Sequence, residues 1–357
     1  MDFPFFKKAS QSYLGVDIGT SAIKIVELSK KGERIQLENF GELKSQALYQ
    51  KPFRTFEKNT LLLLAEEIAL AIKGILKEAK IQSRFASFSI PDFSSFFTNF
   101  ELPSMTEEEI PEAVNFEARR QIPIPVSEVI LDWSIIGGRS SLDRKGEKIK
   151  ILLVAVPKEI INQYQEIAKK SGLELLALEA EVFGLIRSLV EKEKGIVVLV
   201  DIGAQSTTVN IVEKGILKIS HSLDMGGNEL TRIIARARNI DFWKAEELKE
   251  KFGLLRGQVD DVSNILYPLI DLILKEVEDI TQYFCQSEKK EIGQFILAGG
   301  AVYLPGLSGY FAQKLQKEVI IGNPFAKIFT PPILSETLKQ IGPSFAIAVG
   351  MALRELI

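Results

Sequence analysis

Asp17-Ile18-Gly19 returns as Asp201-Ile202-Gly203, and this repeat decides the fold. Each copy follows an apolar run, residues 13–16 and 196–200, and each leads through small hydroxyl residues into a second, alternating apolar stretch. Two apolar runs joined by a tight glycine turn predict a β-hairpin. Such a turn points backbone N–H groups and hydroxyls at one spot, which suits a phosphate. Two of these hairpins, half a chain apart, predict two related domains that clamp one polyphosphate between them.

The composition excludes several classes of function. The 357 residues suffice for two or more domains, and the net charge of -3, without a long basic block, gives no reason to expect a nucleic-acid partner. One cysteine, Cys285, and one histidine, His221, argue against a disulfide framework, structural zinc and a Cys/His nucleophile relay. No apolar run approaches the ~20 residues of a membrane-spanning helix. We therefore expect a cytoplasmic protein.

The N-terminus, residues 1–8, contains three phenylalanines followed by Lys7 and Lys8. It is too short and too interrupted for a signal peptide. One interpretation is a tail whose aromatic side chains rest on the core. The other is a weak interfacial anchor, with the phenylalanines in the lipid headgroup zone and the lysines beside anionic lipid. We favour the first.

Hydrophobic periodicity predicts an inserted subdomain between the two hairpins. Its segment, 81–164, has a strand–helix–strand–strand–helix character. The helices predicted in the first half are 60–80, 105–120, 158–171 and 178–192, and the strands are 85–90, 129–136 and 149–156. After the second hairpin region, 196–224, we predict helices at 228–252 (interrupted near Asn239-Ile240), 262–287, 307–317 and 345–356 and a buried strand at 295–298.

The hairpin aspartates predict a magnesium site. Asp17 ends a buried strand, where an unpaired carboxylate would be costly. A water-mediated Mg²⁺ contact would offset that cost, and Asp201 would mirror Asp17 from the other domain. Lys24 is placed to reach the β- and γ-phosphates as a point charge. The alternative is two ordinary Asp-x-Gly turns, but the matched strand contexts favour the phosphate site.

Three further motifs follow the second hairpin. Gly299-Gly300-Ala301 comes directly after a predicted strand, where glycines let the backbone approach a flat or charged ligand closely. Gly226 and Gly227 lie between the second hairpin and a predicted helix, and we assign them to the same ligand site. Glu246 and Lys249 are three residues apart and share a helix face. Taken alone, that pair would be interpreted as a solvated ion pair.

Together these motifs resemble the actin-like ATPase superfamily over nearly the whole chain. The order matches: first phosphate loop, connecting helix, second phosphate loop, ribose-contacting Glu-x-x-Lys, and Gly-Gly adenosine loop. The resemblance implies an α/β, actin-like (ribonuclease H-like) duplicated two-domain fold with an inserted α+β subdomain. It implies that the phosphates of ATP·Mg²⁺ are held by Gly19, Thr20, Ser21, Lys24, Gly203, Ala204, Gln205, Ser206 and Thr207. It further implies that Glu246 and Lys249 hold the ribose and that Gly299, Gly300 and Ala301 flank the adenine.

A narrower resemblance is carried by the insertion. The segments are Phe100-Glu101-Leu102-Pro103-Ser104-Met105, Phe116-Glu117-Ala118-Arg119-Arg120-Gln121-Ile122-Pro123-Ile124-Pro125, Leu131-Asp132-Trp133, Val154-Ala155-Val156-Pro157-Lys158 and Glu179-Ala180-Glu181-Val182-Phe183. They resemble the PilM family of type IV pilus assembly proteins, relatives of the division protein FtsA. This resemblance implies a partner: the short cytoplasmic N-terminus of an inner-membrane pilus protein, PilN, bound in a groove involving the insertion and the first core domain.

Two residues bear on turnover. Gln205 adds bulk in the second phosphate loop, where active relatives often have further glycines. Hydrolysis needs a side chain that orients the attacking water, and Glu181, near the connecting helix, is our catalytic candidate. Its alternative is an ordinary surface glutamate of that helix. Nucleotide binding is therefore better supported than turnover, and we expect at most a slow ATPase.

These inferences combine into one expected organisation and function. The expected parts are an N-terminal tail (1–12), a first core domain (13–80 and 165–195), the insertion (81–164), a second core domain (196–228 and 292–357) and a helical subdomain over the nucleotide (229–291). We expect an ATP-binding scaffold, held peripherally at the inner face of the inner membrane by its PilN-like partner. Two alternatives stay open: a small-molecule kinase of the same fold, which would need an aspartate base, and an FtsA-like filament protein. The end of the chain at Ile357, without a following amphipathic helix, counts against the second.

Overall fold

The computed structural model describes residues 11–47, 52–57, 60–138, 148–191, 194–257 and 260–357. The predicted N-terminal tail or anchor, apart from the last two residues of the tail, lies outside these residues. In chain order the strands are β1 (Ser12–Ile18), β2 (Ala22–Lys31), β3 (Arg34–Lys44), β4 (Arg54–Glu57), β5 (Thr60–Leu63), β6 (Phe85–Ile90), β7 (Phe96–Leu102), β8 (Val129–Gly137), β9 (Ile149–Pro157), β10 (Glu174–Ala180), β11 (Ile196–Ile202), β12 (Thr207–Glu213), β13 (Ile216–Leu223), β14 (Gln294–Ala298) and β15 (Val319–Ile321). The α-helices are α1 (Ala65–Glu78), α2 (Ile110–Gln121), α3 (Lys158–Ser171), α4 (Glu181–Leu189), α5 (Gly227–Arg238), α6 (Phe242–Phe252), α7 (Ser263–Glu288), α8 (Leu307–Leu315) and α9 (Ser335–Leu353).

The two halves of the chain contain sheets of the same topology. In the first, β1, β2 and β3 form an antiparallel meander, and β6 and then β10 add in parallel, giving the order β10-β6-β1-β2-β3. In the second, β11, β12 and β13 form the meander and β14 and β15 add in parallel. β1 and β11 are buried on both faces, which suits strands covered by helices. The predicted duplication is confirmed.

The strands of the sheets place the two predicted turns at equivalent points. β1 and β2 pair up to Ile18 opposite Ile23, and β11 and β12 pair up to Ile202 opposite Thr207. In each half the aspartate therefore sits one residue before the end of the central strand. Because β6 and β14 run parallel to these strands, their carboxyl ends meet the turns at the same sheet edge.

The inserted subdomain has a sheet of its own and contains fewer elements than the predicted segment 81–164. It consists of β7, β9 and β8, with α2 packed on one face. β6, which the sequence placed in the insertion, is hydrogen-bonded between β1 and β10 in the first sheet. α3 likewise packs in the first core, through Tyr164 and Ile167. The strand signal of β6 was correct, but alternation along one strand does not reveal which sheet it joins.

The helix predicted at 345–356 is α9, which already starts at Ser335. Two further expectations were wrong in their boundaries where a strand precedes a helix. The predicted helix at 60–80 begins with strand β5, and α1 starts at Ala65. The predicted helix at 178–192 begins inside β10, and α4 starts at Glu181. In both cases a strand runs directly into a helix with almost no loop. The apolar residues then continue without the turn signals that would mark the change of period.

The helices α4 and α9 cross, and each packs against the sheet of the other half. Val182 and Leu185 of α4 lie in the cluster built on β11 of the second sheet. α9 covers the first sheet and packs against β2 through Phe345 and Ala348. Assigning all of 292–357 to the second core domain was therefore wrong for α9. Part of the core of each half is therefore formed by a helix that the sequence analysis assigned to the other half.

Glycines make this crossing possible. A Cβ on Gly350 would overlap the backbone of Gly184, and one on Gly184 would lie 3.0 Å from the carbonyl oxygen of Ile347. A Cβ on Gly15 of β1 would overlap the backbone of Ala348. Because these neighbours are backbone atoms rather than flexible side chains, they cannot move aside cheaply. The close approach of α4, α9 and β1 therefore depends on residues without side chains.

We expect Gly350→Ala to destabilise the protein by about 1–3 kcal/mol or more, because the added methyl overlaps backbone and overpacking typically costs this much. Urea unfolding should show the loss as a lower midpoint. The matched control is Gly74→Ala in α1, where a Cβ meets nothing within 4 Å. It should leave stability unchanged or raise it by up to about 1 kcal/mol. Equal effects of the two substitutions would contradict this account of the crossing.

Candidate functional site

The two predicted phosphate turns face each other across the cleft between the halves. They share one geometry: the Gly19 N–H donates to the Ala22 carbonyl and the Gly203 N–H donates to the Ser206 carbonyl, both at 2.9 Å. The hydroxyl of Thr20 donates to Oε1 of Gln205 at 3.3 Å, which joins the two turns directly. Sequence reasoning thus placed these turns correctly, and Gln205 bridges the two halves.

The first turn is anchored by neighbouring backbone. The Ser45 N–H, just after β3, donates to the Ser21 carbonyl, and the Phe53 N–H donates to the Thr20 carbonyl. Lys24 lies opposite Asp17 in the register of β1 and β2. Its ammonium group is 3.9 Å from a carboxylate oxygen of Glu42, a loose ion pair that leaves it close to the turn.

Both hairpin aspartates are buried at the cleft. Asp17 accepts a hydrogen bond from the Ser89 hydroxyl at 2.8 Å. Burial, followed by the charges of Glu181 and Asp17, raises the pKa of Asp201 from 3.8 to about 7. Gly299 adopts a φ of +94°, and a Cβ there would lie 2.6 Å from Oδ1 of Asp201. The predicted glycine loop therefore approaches the second aspartate as closely as a residue without a side chain allows.

Lys249 is the centre of a buried network in the second half. Its ammonium donates to the Gly227 carbonyl at 3.1 Å, the Thr231 hydroxyl at 2.8 Å and Oε2 of Glu246 at 2.6 Å. Lys249 is only 7% exposed, so the reading of Glu246 and Lys249 as a solvated pair is wrong for the lysine. Thr231, which also bonds Glu246, was missed because a single threonine on an amphipathic helix carries no pattern.

This network adjoins the second phosphate turn. The Gly227 N–H donates to the Gly203 carbonyl at 2.9 Å, and the Asn228 N–H donates to the Ala204 carbonyl at 2.8 Å. Ala301 lies against Gly227, at 3.4 Å from where a Cβ would be. The structure therefore brings together around the second turn Gly226, Gly227, Glu246, Lys249 and the Gly299–Ala301 loop. That they bind a nucleotide stays a prediction.

Glu181 is buried at the start of α4. One of its carboxylate oxygens is 2.8 Å from Nη1 of Arg54, and both side chains are more than 90% buried. The reading of Glu181 as a surface glutamate is therefore wrong. Burial raises its pKa, Arg54 lowers it and Asp17 raises it, with a net rise. Burial also opposes the charge of Arg54, but Glu181, Tyr164 and Asp17 together outweigh it, and the pKa of Arg54 stays above its ordinary value.

Asp92 is a fourth buried carboxylate that sequence reasoning missed. Its Oδ1 accepts from the Val182 N–H at 3.1 Å, in the first turn of α4, where a carboxylate suits the helix dipole. Burial and the charge of Glu181 raise its pKa well above the usual range. Arg54 and Asp92 carried no sequence signal, because each is polar within a stretch that gave no motif.

The described residues contain no group of three or more His, Cys, Asp or Glu side chains arranged to hold a metal ion. A magnesium ion here would therefore rely on Asp17 and Asp201, on water and on the phosphates of its ligand, which is how Mg²⁺ is usually bound. Within the same residues, no helix has the length and apolarity needed to span a bilayer.

Comparisons with known proteins show the family and the fold of this chain. The family model described as type IV pilus assembly protein PilM matches residues 15–356. A solved PilM-PilN type IV pilus biogenesis complex is similar with a TM-score of 0.81 at 26% identity, over 97% of this chain and 98% of that chain. Cell division protein FtsA of Staphylococcus epidermidis is 24% identical, over 94% of this chain and 79% of its own length. MreB 5 of Spiroplasma citri bound to AMPPNP shares the fold at 13% identity, with a TM-score of 0.51 over 97% and 96% of the two chains. The predicted actin-like fold and the predicted PilM resemblance are confirmed.

The raised pKa of Asp201 predicts how stability depends on pH. Because the folded state holds this proton more tightly than the unfolded chain, its contribution is complete below pH 3.8 and is lost as pH rises through about 7. Asp201→Asn removes this titrating group. The free energy of unfolding, measured in urea, should therefore decline less between pH 4 and pH 8 in the variant than in the wild type. The difference should be at most about 4 kcal/mol, since one pKa unit corresponds to about 1.4 kcal/mol.

The control is Asp224→Asn, at an exposed aspartate. The free energy of unfolding of this variant should fall with pH as that of the wild type does. Identical pH dependence in Asp201→Asn and the wild type would show that folding does not raise the pKa of Asp201.

Proposed function

This chain belongs to the family of type IV pilus assembly protein PilM, and from that premise we propose that it is an ATP-binding scaffold of the pilus machinery. The observation that carries the proposal is the pair of equivalent turns facing each other across the cleft, bridged from Thr20 to Gln205. A polyphosphate would lie between the two turns, held by those of their backbone N–H groups and hydroxyls that are not already bonded within the turns.

The remaining site residues fit the same ligand. Asp17 and Asp201 would hold Mg²⁺ through water, and Lys24 would neutralise phosphate charge. The network of Glu246 and Lys249 would hold the ribose, beside the Gly299–Ala301 loop for the base. The known chemistry of the magnesium ion is to neutralise the phosphates and polarise the terminal one.

Glu181 remains our candidate for orienting an attacking water. Its carboxylate is already engaged by Arg54, so it is not free to accept hydrogen bonds on all sides. This favours a role in which the bound nucleotide sets the angle between the halves, rather than one in which it is rapidly hydrolysed. Such a mechanism requires that ATP bind one arrangement of the halves more tightly than another.

Lys249→Ala should weaken binding of a fluorescent ATP analogue with Mg²⁺ by about tenfold or more, because it removes the donor that aligns Gly227, Thr231 and Glu246. The control is Lys244→Ala on the same helix, an exposed lysine paired with Glu247, which should change affinity less than about twofold. Circular dichroism checks that both variants are folded. No saturable binding by the wild type would contradict the nucleotide proposal.

We further propose that the inserted subdomain receives the cytoplasmic N-terminus of a PilN-like inner-membrane protein, which would hold the chain peripherally at the cytoplasmic face. A groove of about 360 Å³ lies between the end of β7 and α2. It is lined by Leu102, Pro103, Met105, Glu112, Ala113, Phe116 and Glu117. Phe116 is 62% exposed although it is aromatic, as expected of a residue that a partner covers.

Phe116→Asp should weaken binding of a synthetic peptide of that N-terminus by about tenfold or more, because large aromatic side chains dominate such contacts. Fluorescence anisotropy of the labelled peptide measures this. Tyr283→Asp, in an equally exposed aromatic of α7, is the control and should bind as the wild type does. If both variants bind with unchanged affinity, the groove is not the peptide site.

A further inference from the structure

Arg54 is held at the first phosphate turn by its own strand. Phe53, the residue before it, donates its N–H to the Thr20 carbonyl at 3.0 Å and accepts from the Leu64 N–H at 3.2 Å. The guanidinium lies over the ring of Phe93, 5.4 Å from its centre. The side chain therefore enters the cleft next to the turn and has little freedom to leave it.

The burial of Arg54 and Glu181 is not explained by stability. A buried ion pair typically contributes no more than apolar residues of similar volume, because desolvation offsets the attraction. The pair also leaves one donor unused, because Nε of Arg54 is buried without a hydrogen-bond partner among the described residues, as is Oδ2 of the neighbouring Asp92. Buried polar atoms are rarely left so. A guanidinium has a planar fork that can serve a carboxylate and a phosphate together.

The buried carboxylates near Arg54 would repel a phosphate ligand, so a cation is needed there for the ligand to bind. Asp17, Asp92, Glu181 and Asp201 converge here, and a polyphosphate would add further negative charge. Lys24 and Arg54 are the cations that lower the pKa of Asp201. Without Arg54, Glu181 would stand as an uncompensated carboxylate facing the phosphates.

The position of Arg54 indicates which phosphate it serves. The base and ribose residues, Ala301 and Lys249, contact Gly227 on the second half's side of the turns. Arg54 lies on the opposite side, against Glu181 and next to the first turn. A nucleotide bound between them has its terminal phosphate at the Arg54 end.

We infer that Arg54 determines specificity for the terminal phosphate, so that the site prefers a nucleoside triphosphate to a diphosphate. This inference rests on the proposed nucleotide-binding function. Arg54 acts twice: it cancels the charge of Glu181 and it presents a cation to the γ-phosphate. Nothing in this role requires hydrolysis.

The test compares the affinities of AMPPNP and ADP, each with Mg²⁺, by isothermal titration calorimetry. The wild type should prefer AMPPNP by about tenfold or more, the usual effect of one charge-assisted hydrogen-bonded group. Arg54→Gln should reduce that preference to about one while ADP affinity changes less than about threefold. Arg84→Gln, in an exposed arginine just before β6, is the control and should keep the wild-type ratio.

Because Arg54→Gln leaves a buried carboxylate unpaired, it is also made together with Glu181→Gln, which removes both charges. Glu181→Gln alone should keep or increase the AMPPNP preference, and the double variant should lose it. Equal weakening of both nucleotides by Arg54→Gln, an unchanged ratio on adding it to Glu181→Gln, or a wild type without preference would each overturn the inference. Failure of the wild type to bind either nucleotide would overturn the proposed function itself.

Discussion

The close crossing of α4 and α9 is the constraint on which the rest of the structure depends. The helices meet at Gly184 and Gly350, where backbone touches backbone, and each then packs against the sheet of the other half. Two equivalent domains are thereby held with their turns opposed rather than strung along a linker. Because packed interfaces shift between discrete arrangements instead of deforming continuously, this crossing is also the natural pivot for any change in the angle between the halves.

The cleft that results concentrates charge. Four carboxylates are buried there with one arginine and a nearby lysine, an arrangement that costs stability unless something else is gained. The raised pKa of Asp201, near 7, is a measure of that cost. Clusters of perturbed carboxylates mark functional sites more often than structural ones. A bound magnesium ion would supply positive charge beside the carboxylates, and the phosphates of a nucleotide would supply an acceptor for the unpartnered Nε of Arg54.

Sequence reasoning recovered what depends on local pattern and missed what depends on packing between segments. The Asp-x-Gly hairpins, the glycine loop at Gly299 and the Glu246–Lys249 pair were found because turns and helix faces have short-range signatures. Three features were not found: the sheet that β6 joins, the sheet that α9 packs against, and the strand β10. Apolar periodicity does not show which other element a buried face will contact. Arg54 and Asp92 were not identified for the same reason, because it is contacts between distant parts of the chain that bring them to the cleft.

The central claim is that both halves contact one nucleotide. Hydrogen–deuterium exchange with and without Mg²⁺ and AMPPNP tests it most directly, since it reads backbone protection in each half separately. The account predicts that residues 18–22 and 202–207 gain protection together, at the same ligand concentration, while the exposed surface of α7 does not change. Protection of one turn alone, or of neither, would contradict it.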